Sequence, residues 1–131
     1  MISVTPVPRG DIPTAWPDFE DWIRQGYQAT GAAYDSDFVY RELMAGRRWL
    51  WIIRVDDVAY AAAVTTITGF TISILSLGGV QMTRWLFPAL EAFTTMCRKN
   101  GLDNIEIDGR KGWQRALPGF KHARTVLRKA L

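Results

Sequence analysis

Residues 49–77 constrain the fold most. Trp49-Leu50-Trp51-Ile52-Ile53-Arg54-Val55 is dense in aromatic and branched residues, Asp56-Asp57 is a tight-turn pair, and Val58 to Thr68 returns as a partner strand. Gly69 then separates Phe70 to Leu77, whose alternation at Phe70, Ile72 and Ile74 marks a third strand. These runs predict an antiparallel meander closed by Gly78-Gly79. Leu86, Leu90, Phe93 and Cys97 follow at helical spacing and describe one face of a long helix ending at Gly101, with Pro88 in its first turn or kinking it. Asn104 to Asp108 is the next strand. The helix before it is a crossover, so this strand should lie parallel to the Phe70 to Leu77 run.

The flanks fit the same plan. Ile2 to Val4 is a short opening strand, and Asp11 leads towards a helix from Pro17 to Ala29, with Pro17 as a first helical residue and Asp18, Glu20 and Asp21 at the positive end of its dipole. A second helix has Asp35 or Ser36 as its cap, Phe38, Leu43 and Met44 on its apolar side and Gly46 just past its end. After Asp108 the pattern predicts a short helix from Gly112 to Leu117, a Pro118-Gly119 turn and a last strand from His122 to Leu127.

With 131 residues and 48% apolar composition, the expectation is one domain spanning residues 1–131. The longest apolar stretch, Val58 to Ile74, is interrupted by threonines, a glycine and a serine, and falls short of the roughly 20 unbroken residues of a membrane helix. No secretory signal is visible at Met1 to Val4. Cys97 and His122 are the only residues of their kinds. An internal disulfide is excluded, and a zinc site or a Cys–His nucleophile pair is not supported. Cys97 falls among apolar helical positions and reads as a buried inert thiol.

Charge is uneven. Residues 1–97 hold seven Lys/Arg against ten Asp/Glu, net −3, whereas residues 98–131 hold nine against three, net +6. A basic last quarter suits an acidic partner, phosphate or nucleic acid, and equally a solvated face. Within it, Arg110, Lys111 and Arg115 cluster around Trp113, a combination able to contact phosphate, stack on a base or anchor a protein interface. Trp49 and Trp51, two apart on one strand, point to the same side and give one sheet face an aromatic character.

The element order, with Ile2 to Asp11, Asn100-Gly101-Leu102 and Gly119-Phe120, resembles the GNAT superfamily of N-acetyltransferases. The resemblance implies an α/β (α+β) fold with a mixed, mainly antiparallel sheet flanked by helices. Asp108 to Arg115, Leu77-Gly78-Gly79 and the Trp49 to Trp51 strand are similar to small GNAT-like proteins of tailed bacteriophages and prophages. That likeness implies a virion or host-cytoplasm location and a virion or host-protein partner, with self-association and nucleic-acid binding as alternatives and no membrane association.

The GNAT family holds acyl-CoA on a Gln/Arg-x-x-Gly-x-Gly/Ala loop before its long helix, where main-chain N–H groups and the helix N-terminus meet the pyrophosphate. Here that place reads Leu77-Gly78-Gly79-Val80-Gln81-Met82-Thr83-Arg84, with the glycines early and none after Gln81. Gly78, Gly79 and Arg84 are the candidates for cofactor contact. Glu106 and Asp108 are the candidates for a base, and the usual acid, a tyrosine, is missing from Gly112 to Leu117. No cofactor is therefore the first expectation and acetyl-CoA the alternative. The expected role is non-catalytic binding or virion assembly, against an active N-acetyltransferase.

Overall fold

The computed structural model describes residues 1–108, 121–123 and 126–130. Among the described residues seven strands form one sheet, β1 (Ile2–Pro6), β2 (Trp49–Val55), β3 (Val58–Thr68), β4 (Thr71–Gly79), β5 (Asn104–Asp108), β6 (Lys121–Ala123) and β7 (Val126–Ala130), in the order β1-β2-β3-β4-β5-β7-β6. Only β4 and β5 pair in parallel; every other neighbouring pair is antiparallel. The crossover between them is helix α3 (Leu86–Lys99), as the sequence predicts. Helices α1 (Ile12–Ala29) and α2 (Ser36–Met44) lie in the β1–β2 connection.

The β2 run is apolar at nearly every position because the sheet is covered on both faces. Leu50 and Ile52 join Ile12, Ile23, Val39 and Leu43 beneath α1 and α2. Trp51, Ile53 and Val55 join Ile72, Trp85, Phe93 and Ile105 beneath α3. Trp51 meets Phe93 edge to face at 5.2 Å, and its indole N–H donates to Thr65 Oγ1 at 2.8 Å. Trp49, at the strand's start, stays 38% exposed, so α3 covers only the inner part of the predicted aromatic face.

Three expected elements change their bounds. Helix α1 starts at Ile12, not Pro17, because Pro13 occupies an early position where its missing N–H costs nothing. Pro17 follows within the helix and leaves only the Pro13 carbonyl without its i+4 donor. Asp18, Glu20 and Asp21 consequently lie beyond the first turn, and Glu20 and Asp21 instead bind Arg24 at 2.5 and 2.8 Å. Strand β4 runs through Gly78 and Gly79, which pair with Ala62 and Ala61, so the glycines end the strand from within it. The single last strand from His122 to Leu127 is replaced by β6 and β7, with β7 continuing to Ala130 to match the whole of β5. The predicted Gly112 to Leu117 helix and Pro118-Gly119 turn lie outside the described residues.

Other expectations hold locally. Asp56 and Asp57 both take positive φ, 49° and 67°, as a two-residue hairpin turn with the twist of its strands requires. Asp35 caps α2, its carboxylate accepting from the Phe38 N–H at 3.2 Å, and Gly46 follows the helix at φ 77°. Phe38, expected on the apolar side, is instead 42% exposed, and Val39 takes its place beside Leu43 on the buried side. Among the described residues no helix is long and apolar enough to cross a membrane.

Two irregularities shape the sheet. The β3–β4 register passes from Val64↔Ser76 to Thr65↔Ile74 and leaves Leu75 as an extra residue on β4. The β2–β3 register likewise leaves Tyr60 extra on β3. Such bulges bend a strand and re-aim its side chains. Pairing of β4 with β5 ends at Ile74↔Ile107, immediately before the Leu75 bulge, and Leu75–Gly79 continue past it.

Candidate functional site

The end of β4, the following turn and the start of α3 form the place where the sequence puts an acyl-CoA loop. Helix α1 lies unusually close to β4 there. A Cβ on Gly78 would stand 2.2 Å from the Trp22 carbonyl oxygen, and one on Gly26 would stand 2.0 Å from Ser76 Oγ. Ser76 completes the contact, its hydroxyl donating to the Ile23 carbonyl at 2.8 Å. Gly79 faces a different neighbour, since its Cβ would meet the Tyr60 carbonyl oxygen at 2.2 Å and Ala61 at 2.6 Å. Both glycines are thus accounted for by protein backbone that occupies the space beside them.

Past Gly79, the Val80 N–H donates to the Tyr60 carbonyl at 2.9 Å and Gln81 adopts a left-handed conformation, φ 52° and ψ 51°. A single 3₁₀ turn, Met82–Arg84, leads to Trp85. Its indole is wholly buried under the start of α3 and donates to the Val80 carbonyl at 2.8 Å. Arg84 turns outward. Its guanidinium donates to the Tyr60 hydroxyl at 2.7 Å and Gln81 Oε1 at 3.3 Å, and its centre lies 5.0 Å from the Tyr60 ring centroid. The bulge at Tyr60 thus presents the ring that holds Arg84.

A pyrophosphate cradle needs several main-chain N–H groups converging on open space. Here the Val80, Arg84 and Trp85 N–H groups are bonded to Tyr60, Gln81 and Met82 carbonyls, and Pro88 brings no N–H to the first turn of α3. Three N–H groups around this turn are thus engaged by protein carbonyls, which leaves fewer of them for a pyrophosphate than the family's loop offers. Sequence reasoning missed Gly26, Tyr60 and Trp85. Only Gly26 carried a signal, a glycine in the middle of an amphipathic helix.

The candidate bases lie lower on the sheet. Glu106 sits on β5 opposite Ser73, whose hydroxyl donates to its carboxylate at 3.4 Å, within the stretch where β4 and β5 are still paired. Its neighbours Ile105 and Ile107 are buried in the α3-side core, so Glu106 projects to the opposite face. Asp108 ends β5 opposite Val126. The β4–β5 register puts both short of Gly78, Gly79 and Arg84. Arg110, Lys111, Trp113 and Arg115 lie outside the described residues. Cys97 is fully buried, and burial pushes its thiol up to about 11.

No protein-family model and no curated protein sequence matches the chain. Solved structures do. The ribosomal-protein-S18-alanine N-acetyltransferase of Escherichia coli is similar with a TM-score of 0.68 at 12% identity, over 99% of this chain and 94% of that one. An acetyltransferase from Thermus thermophilus aligns with a TM-score of 0.68 at 16% identity, over 100% and 97% of the two chains. The PaiA N-acetyltransferase of Thermoplasma acidophilum, solved in complex with coenzyme A, aligns with a TM-score of 0.62 at 10% identity, over 100% and 99%. At such identities the likeness establishes the fold, a mixed and mainly antiparallel sheet with flanking helices as in GNAT N-acetyltransferases.

Proposed function

We propose that this chain uses an acetyltransferase scaffold as a binding domain and does not turn over acyl-CoA. The observation that carries the reading is the use of Gly78 and Gly79 for backbone packing, with Arg84 engaged by Tyr60. The partner surface in this reading is the cationic and aromatic segment Arg110, Lys111, Trp113 and Arg115. The partner is a protein of the virion or host, as the resemblance to phage-encoded proteins implies. Isothermal titration of acetyl-CoA into the purified protein tests the reading: no binding at millimolar cofactor supports it, and micromolar binding overturns it.

A second reading, an acetyl-CoA-dependent N-acetyltransferase, draws support from the Leu75 bulge and the end of β4–β5 pairing at Ile74 and Ile107. Past that point β4 has an edge on which an extended ligand arm could lie beside the strand. In this reading Gly78, Gly79 and Arg84 stand nearest the cofactor and Glu106 or Asp108 serves as base. Nucleic-acid binding through the basic last quarter is set apart by salt, because counterion release makes such affinity fall steeply as ionic strength rises.

A further inference from the structure

Helix α3 stops at Lys99 and leaves the end of its sheet face, where β2 and β4 begin, to a pocket of about 360 Å³. Trp49 pairs with Thr65 and Trp51 with Ala63, and Ile67 follows Thr65 two residues on, so register puts Trp49, Trp51 and Ile67 on that face. Trp51, Ile72 and Cys97 form a buried floor, while Trp49 and Ile67 stay 38% and 40% exposed at the rim. The turn after α3 supplies a further wall. Gly101 takes φ 77°, its N–H donates to the Arg98 carbonyl at 3.1 Å, and the Leu102 N–H donates to the Cys97 carbonyl at 3.0 Å. This left-handed helix end returns Leu102 to the helix it has just left.

Among the described residues the lining carries no charged side chain. Its one amide, Asn100, donates from Nδ2 to the Met96 carbonyl at 2.8 Å, which ties it to the helix end. A charged guest would lose hydration here without meeting a counter-charge, so the pocket suits a neutral one. Size sets the next limit. An apolar cavity of about 150 Å³ takes one benzene ring and small-molecule sites begin at about 300 Å³, so this pocket has room for two fused rings. Trp49, Trp51 and Met96 favour a flat aromatic over an alkyl chain. Indole rings and a thioether sulfur both gain from aromatic contact, and a rigid guest has little freedom to lose.

We propose that this pocket binds a neutral molecule of two fused aromatic rings, seated over Trp51 and Ile72 with Trp49 and Met96 beside it. Gly78 to Arg84 lie towards the other end of the sheet, because β4 begins beside the pocket at Thr71 and ends at Gly79. The site is independent of whether acyl-CoA binds.

Titration of quinoline into ¹⁵N-labelled protein at neutral pH tests the site, with N-methylquinolinium as a charged counterpart of nearly the same shape. Saturable shifts of the Trp49 indole, the Asn100 side-chain amide and the Leu102 amide are expected, with the cation at least about tenfold weaker. Trp49→Ala should weaken quinoline by about tenfold, roughly one aromatic contact. Ile67→Glu, which sets a charge at the exposed rim without touching the floor, should weaken it likewise at an unchanged melting temperature. Phe70→Ser removes a ring that is 67% exposed and outside the lining, and should leave the affinity as it is. Absence of saturable shifts at millimolar quinoline would overturn the site. So would equal binding of the cation, native affinity in both Trp49→Ala and Ile67→Glu, or an equal loss in Phe70→Ser. Shifts of the same signals on raising protein concentration alone would assign the patch to contact between copies and overturn it too.

Discussion

At Gly78 the room for one methyl group separates a helix resting on β4 from one pushed off it. An alanine there would set Cβ 2.2 Å from a main-chain oxygen, which no rotamer change relieves. We expect Gly78→Ala to lower unfolding stability by roughly 1–3 kcal/mol, the usual cost of overpacking, read from urea denaturation. A native-like midpoint would mean that the glycine serves something other than packing. A buried thiol and a half-buried phenol make stability fall on the alkaline side. Burial raises the Cys97 thiol from 9.0 to about 11, and chiefly burial raises the Tyr34 phenol from 10.0 to about 12. Both are held protonated longer in the folded chain than in the unfolded one. Their contribution is therefore complete below pH 9 and is lost as pH climbs from 9 to about 12. Cys97→Ala should flatten the loss between pH 9 and 11, and Tyr34→Phe the later part; unchanged slopes would show that neither group titrates abnormally. At this scale the sequence was only partly legible. Two adjacent glycines before a helix suit a phosphate loop and a close backbone contact alike, and only the approach of Trp22 separates them.

The elements were more readable than their ends. Alternation at Ile72 and Ile74 marks β4 because one face meets the α3-side core, whereas Phe70, expected to share it, precedes the strand and is 67% exposed; Leu86, Phe93 and Cys97 mark α3 for the same reason. The start of α1 was hidden by its two prolines, since either could open a helix and the sequence does not say which lies inside. The bulges at Leu75 and Tyr60 leave no trace in a period-two pattern, because one inserted residue changes register without changing composition. Helix α2 supplies the test at this scale. Its Asp35 cap satisfies one N–H at the helix start, so Asp35→Ala should cost about 1 kcal/mol, measured by thermal or urea unfolding. A loss below a few tenths would place the helix's stability in Val39 and Leu43 alone.

For the whole molecule, the order of strands and helices carried the fold because a crossover helix between neighbouring strands forces β5 parallel to β4 within an otherwise antiparallel sheet. The same order recurs in acetyltransferases at 12% and 16% identity, which shows how little of this architecture depends on particular side chains. Function depends on them entirely, and here Trp22 of α1 packs on Gly78 of β4 while Tyr60 holds Arg84 and the Trp85 indole binds the Val80 carbonyl at the turn before α3. Mapping amide and indole shifts of ¹⁵N-labelled protein as acetyl-CoA is added tests that account most directly. Signals of Gly78 to Phe87 that stay in place at millimolar acetyl-CoA are the predicted result. Saturable movement of Val80, Gln81, the Trp85 indole and the Leu86 and Phe87 amides would contradict it and return the cofactor to this end of the sheet.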